Sequence, residues 1–326
     1  MKGFMKGCAV LAAVLLIAGL VLGVVASTVR GRTAIEEVVE KATGGRVRLN
    51  LGNEDGWGLL VEDDWFGDSD GVNYEIDDRL DFDSSREVQK GDVEKSRLEG
   101  TVENLEVKVG GCAFLVKESG DDSFYVETRN TKKFQAYIES GTLYITSTTG
   151  SVNHWSEIRD VSVTLYVPTD FRYQKAELEM GAGSLSYPGL QADSASVEVG
   201  AGKIELENAQ VKELEIEVGA GQAEVTGMQV EELKVEVGMG EFRGDGAIDG
   251  DVNIECSMGN LELCVAGRQE DFNYEIDGAL GNISLGGAFD GREFGGLSKE
   301  RSVNNGASKE MEISCAMGNI TISFQE

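Results

Sequence analysis

A glycine recurs every 19 residues through the second half of this chain, and that spacing constrains the fold more than any other feature. Gly183, Gly202, Gly221, Gly240 and Gly259 hold it in MGAGSL, VGAGKI, VGAGQA, VGMGEF and SMGNLE. Gly281 in ALGNIS and Gly318 in AMGNIT are further copies. The step of 22 from Gly259 to Gly281 fits a three-residue insertion. The step of 37 to Gly318 is one short of two periods and leaves room for a poorly recognisable rung between them. A fixed period near 20 residues marks units that bury their apolar face only by stacking on copies of themselves.

The residues around each glycine show what faces inward. Seven before it stand Ala176, Ala195, Leu214, Leu233, Val252, Tyr274 and Met311, and five before it Leu178, Val197, Ile216, Val235, Ile254, Ile276 and Ile313. Three before it come Met180, Val199, Val218, Val237, Cys256, Gly278 and Cys315. Apolar or small residues at alternate positions describe a strand with one buried face. Two and four after the glycine the pattern resumes, as in Ile204 with Leu206 and Leu261 with Leu263. The parity slips at the glycine, which tolerates the backbone angles of a bulge or corner. A short third face follows, carrying Ala209 and Val211, or Met228 and Val230. The expected fold is all-β, a single-stranded β-solenoid with 19-residue rungs.

Outward positions repeat as well. Glu179, Glu198, Glu217, Glu236 and Glu255 lie four before successive glycines, followed by Asp277 and Ser314. Stacked rungs would set these carboxylates about 4.8 Å apart, and like charges that close are unfavourable. Cations such as calcium could bridge the column. Alternatively, hydrated carboxylates tolerate the spacing and discourage sheet association. Cys256 and Cys315 share an inward slot with Val199, Val218 and Val237, which reads as core packing. Asn282-Ile-Ser284 and Asn319-Ile-Thr321 are formal glycosylation sequons, but Asn260 holds the same slot without one, so they read first as corner residues.

Ahead of the repeat, residues Ala9 to Val29 carry no charge. As a helix they would span about 31 Å, enough to cross a hydrocarbon core. Val24 and Ala26 would satisfy a signal-peptidase site, but the apolar run exceeds the roughly 7–15 residues of a signal h-region, which favours an uncleaved anchor. Lys2 and Lys6 favour an inside N-terminus, whereas Arg30, Arg32, Lys41, Arg46 and Arg48 follow the span and pull the other way. Export of one long domain behind an N-terminal anchor places the repeat outside. Thr33 and Glu36 are spaced as a capping box for a short helix to Thr43. Residues 53–92 mix acids with Gly and a few large apolar groups without a clear period, which reads as disorder. The expected organisation is a transmembrane anchor (1–32), a short helix and acidic disordered stalk (33–96), a β-rich N-terminal part (97–175) and the regular repeats (176–326).

Between stalk and repeat run LEGTVENLEVKVGG, then GTLYITS, then VSVTLYVPTDFRYQKAELEMGAG. A first rung, a "gtL-x-I" strand and a "v-x-L-x-V-P" strand entering the first Gly-x-Gly resemble the bacterial putative-adhesin family of β-strand-repeat domains. The likeness covers Leu98 to Glu326, and its most specific pieces are Gly141 to Ile145 and Val163 to Pro168. The resemblance implies a β-solenoid, often behind a membrane anchor, and provides no catalytic residue to carry over.

The function expected is a non-enzymatic, adhesin-like binding or scaffold protein, single-pass in the cell membrane with the repeat domain extracellular. A net charge of −29 argues against nucleic acid and anionic headgroups. The sole histidine, His154, sits in the polar SVNHWSE without an apparent nucleophile or paired acid, so neither an enzyme nor a cofactor is expected. One alternative is a polymer: the chain stops two residues after the apolar strand ending in Phe324, and a terminal rung bearing Ile320 and Ile322 would expose an edge to a second copy. Another is a module that senses cell-envelope stress.

Overall fold

The alternation of inward and outward side chains becomes strands that, within residues 172–266, pair at a 19-residue step with a single one-residue shift between Val225 and Met228. The computed structural model describes residues 47–53, 56–61, 82–148, 161–286, 292–295 and 299–325, with side chains described for 82–148, 161–286 and 301–325. The apolar span, the capping-box helix, the acidic stretch 62–81 and His154 lie outside them. Among the described residues no helix is long and apolar enough to cross a membrane.

The described chain is all-β. In the unit Met1–Asn73, β1 (Val47–Asn53) and β2 (Gly56–Val61) form an antiparallel hairpin. The unit Tyr74–Glu326 holds the remaining strands. Its first part contains β3 (Gln89–Arg97), β4 (Asn104–Glu118), β5 (Tyr125–Glu139), β6 (Thr142–Thr148) and β7 (Ser162–Val167). The repeats supply β8 (Arg172–Pro188), β9 (Gln191–Val199), β10 (Lys203–Glu207), β11 (Gln210–Val218) and β12 (Gln222–Val237). They continue as β13 (Glu241–Ile248), β14 (Val252–Cys256), β15 (Asn260–Ala266), β16 (Phe272–Gly278) and β17 (Asn282–Leu285). The chain closes with β18 (Arg292–Gly295), β19 (Lys299–Val303), β20 (Lys309–Cys315) and β21 (Asn319–Gln325).

Each rung contributes to parallel ladders. On the side before the glycine corner, Glu217 pairs with Glu198 and Glu236. On the side after it, Lys203 pairs with Ser184 and Gln222. The short third side joins Val211 to Ala192 and Val230. The inward positions read from the sequence are buried, apart from the glycine slots Gly244 and Gly278. At Gly244 the missing side chain is compensated within the rung: a Cβ there would lie 2.7 Å from the Phe242 ring, which occupies the space.

Chain order and stack order part company at both ends. At the N-terminal end β4 is not outermost: Asn104 pairs with Thr142 of β6 and with Lys175 of β8, and Ala113 pairs with Ser162 of β7 and with Ser184. β5 runs antiparallel across β6 and β7, and β3 runs antiparallel along β5. At the other end β20 and β21 sit between the rung of β14–β15 and that of β16–β17. Ile313 pairs with Ile254 and Ile276, and Ile320 with Leu261 and Ile283. The insertion expected after Gly259 is a 3₁₀ turn, Gln269–Asp271. Its added length lets the chain step over one level, about 4.8 Å, and the C-terminal rung fills the vacant level.

Three expectations are corrected by this arrangement. Among the described residues no further rung lies between Gly281 and Gly318: ahead of β20 they form β18 and β19, antiparallel to β17 and β16. The C-terminal rung is internal, paired on both sides, with Ile320 0% and Ile322 1% exposed, so it presents no free edge. Finally, the region 33–96 contains the β1–β2 hairpin and most of β3, and the boundary between units falls at Asn73. β3 eluded the periodicity because an edge strand exposed along most of its length carries little apolar pattern. Its Lys90, Asp92 and Lys95, with repeated register shifts, give it the charged and irregular character that blunts a sheet edge.

Candidate functional site

The glycine corners come first, because they position everything outward of them. Backbone donors at each corner reach the rung before: the Gly200 amide donates to the Met180 carbonyl and the Ala201 amide to the Gly181 carbonyl, both at 2.8 Å. Backbones this close leave no volume for a side chain. A Cβ on Gly221 would stand 2.2 Å from the Gly202 carbonyl oxygen, and one on Gly240 2.3 Å from that of Gly221. The recurrent glycines are therefore packing residues.

On the face preceding the corners the carboxylate column forms as expected, with one change. Its order is Lys108, Glu179, Glu198, Glu217, Glu236, Glu255, Ser314, Asp277, so Ser314 separates the last two acids. Desolvation, and then the neighbouring Glu179, raise the Glu198 carboxyl above the ordinary carboxylate range. Desolvation followed by Glu236, Glu198 and Glu215 does the same to Glu217, partly offset by Lys234. Carboxylate oxygens of Glu215, Glu217 and Glu236 come within 4.8 Å of one another. A cation already serves this group: Lys234 Nζ lies 2.7 Å from both Glu215 and Glu236. Those two bonds, in that order, raise the lysine above its usual range. An open depression on this face runs from Lys175 past Glu215 and Lys234 to Asn253 and Glu312. In it Asn253 donates from Nδ2 to Glu312 at 3.2 Å, while its Oδ1 is buried without a hydrogen-bond partner.

Three of the four described thiols are packed out of reach, and Cys264 alone among the four is partly exposed. Cys112, Cys256 and Cys315 are free and buried. Burial pushes the Cys112 thiol up to about 12 and Cys256 to about 11, and raises Cys315. Cys256 and Cys315 are register partners, and their thiols donate to the carbonyls of Gly259 and Gly318, each at 3.2 Å. On the face following the corners, Asn260, Asn319 and Asn282 are exposed in consecutive rungs, and Asn319 donates to Asn260. Sequence reasoning overlooked the residue in the middle of each corner. It is Met239, Met258, Met317 or Leu280 in four copies, a signal visible in VGMGEF, SMGNLE, AMGNIT and ALGNIS once the glycines are aligned.

A family model described as Toastrack DUF4097 matches residues 128–323, more than half of the chain. Among curated proteins none matches. The chain is similar to a solved putative adhesin from Bacteroides fragilis, at 10% identity and a TM-score of 0.37, covering 74% of this chain and 98% of that one. It is similar to a solved putative lipid binding protein from Parabacteroides distasonis, at 14% identity and a TM-score of 0.39, covering 72% and 96%. A putative cell adhesion protein from Clostridium sporogenes shares 11% identity at a TM-score of 0.30, covering 73% and 99%.

Proposed function

The chain belongs to the Toastrack DUF4097 family, and on that premise we propose that it is a membrane-anchored, surface-exposed β-solenoid that binds or scaffolds without catalysing a reaction. The observation carrying this reading is the 19-residue register from β8 to β15, which shifts by one residue only on the third side, between Val225 and Met228 of β12. It turns each outward sequence position into a straight column and builds long faces of fixed geometry. Such faces suit recognition, since a rigid scaffold loses little conformational entropy on binding. The buried thiols Cys112, Cys256 and Cys315 support the same reading, because burial holds them protonated and packed. The apolar span 9–29 supports the tether. The envelope-sensing alternative would use the same faces as its input.

Two measurements test the proposal. Protease added to intact cells should digest the domain while a cytoplasmic marker survives; protection until lysis would overturn the surface placement. The purified chain should release no products from a panel of cell-envelope glycans. Turnover that scales with enzyme concentration would overturn the non-enzymatic assignment.

A further inference from the structure

Large apolar side chains stand exposed at three of the described residues, Met239 (42%), Met317 (43%) and Leu280 (65%). All of them hold the same place, the middle of the glycine corner. Backbone hydrogen bonds put them in one row. The Met258 amide donates to Gly238 at 2.8 Å, Met317 to Ser257 at 2.8 Å and Leu280 to Ala316 at 2.7 Å. The spatial order is therefore Met239, Met258, Met317, Leu280, with Met258 half-buried. The displaced C-terminal rung makes the row continuous, since without it Met258 and Leu280 would be separated by an empty level. Toward the other end the same position holds Ala182, Ala201 and Ala220, so the row rises from a shallow floor to an apolar ridge.

The ridge has unlike flanks. On the side before the corner run Glu236, Glu255 and Asp277. On the side after it run Glu241 and the amides Asn260, Asn319 and Asn282. At about 4.8 Å per rung the ridge is about 14 Å long, the rise of about 9–10 helical residues.

We propose that this ridge docks a basic amphipathic helix lying along the stack axis. This rests on the binding role proposed above and names the chemistry of its partner. A helix repeats its apolar stripe about every 5.4 Å, close to the rung spacing. An extended strand presents same-face residues about 6.6–6.8 Å apart and falls out of step at once. Methionine side chains adapt to varied apolar surfaces. The acidic flank selects Lys or Arg beside the stripe. The net charge of −29 disfavours a second copy of this chain or an anionic lipid surface as occupant.

The test uses the full chain in phosphatidylcholine nanodiscs and two labelled 18-residue peptides of identical Leu and Lys content. One is patterned at 3.6 residues and the other at 2. The helical-period peptide should bind at least tenfold more tightly than the other. The triple variant Met258→Ser, Met317→Ser, Leu280→Ser should lose that preference at least tenfold with an unchanged melting temperature. Glu255→Gln with Asp277→Asn should weaken binding and its salt dependence. Equal binding of both peptides, or binding unaffected by the triple variant, would show general charge attraction and overturn the proposal. So would quenching of a Leu280→Trp reporter by brominated phosphatidylcholine, which would assign the ridge to lipid. Failure of the peptide to bind a chain that is digested on intact cells removes the ridge partner alone; protection from protease removes the surface placement alone.

Discussion

The side-chain amide of Asn319 donates to Oδ1 of Asn260 at 2.9 Å, across 59 residues of chain. That bond joins the C-terminal rung to a rung that precedes it in sequence by two other strands of the stack and the two antiparallel closing strands. The last segment is thus an interior layer, and removing it would open a gap rather than trim an end.

Ile322→Ala should therefore cost about 2–5 kcal/mol, the loss for a large aliphatic in a sealed core. Ile322→Lys or deletion of Lys309–Glu326 should abolish the cooperative transition of the stack. Urea denaturation followed by circular dichroism gives the comparison. A Lys variant with an unchanged midpoint would mean that the rung is peripheral.

Glycines at the corners should be far less replaceable than glycines in open turns. Gly240→Ala places a Cβ 2.3 Å from the Gly221 carbonyl and 2.7 Å from Val218 Cγ1, and should cost about 1–3 kcal/mol in displaced backbone and side chains. Gly189 has φ +70°, and a Cβ there would meet nothing within 4 Å. At that turn Asn, which tolerates left-handed backbone, should change stability by less than about 0.5 kcal/mol. Thermal melts of both variants check the contrast.

Glu198 and Glu217 have carboxyls raised in the fold, chiefly by desolvation and then by stacked acids. A raised value means the folded state holds the proton more tightly. Their contribution to stability is present below the unfolded value and lost as pH rises through the folded one. Glu217→Gln should accordingly stabilise the protein at pH 7 by roughly 0.2–1 kcal/mol, the scale of a like-charge pair in a sheet. The gain should shrink below about pH 4, where the wild-type acid is itself neutral. Lowered groups such as Asp193, held down first by Lys212 and then by Arg172, act in the opposite sense. The difference between variant and wild type across pH isolates the column.

Thiol labelling should rank the cysteines by burial. At pH 8 a thiol held near 11 is about one part in a thousand thiolate. Iodoacetamide should modify Cys264, which is partly exposed, well before Cys112, Cys256 and Cys315. Peptide mass spectrometry over time reads the order, and early labelling of Cys256 would contradict the packed register with Cys315.

Sequence alone determined the step of the repeat, the inward residues and the outward column. Each depends on local geometry: strand side chains alternate, and only glycine fits where one corner lies on the next. Val218, Val237 and Cys256 could be placed inward because each reads the same distance from its glycine. The edge strand β3 was not legible, since most of its side chains face water. The corner ridge was legible only in part. Met239 and Met258 follow from the period, but its continuity through Met317 to Leu280 does not. Tertiary structure alone decided the order of the layers. Asn260, Asn319 and Asn282, like Cys256 and Cys315, occupy chemically equivalent slots, so local pattern ranks no neighbour above another. The choice lies in nonlocal pairing and in whether a connection is long enough to step over a level, as the turn Gln269–Asp271 does.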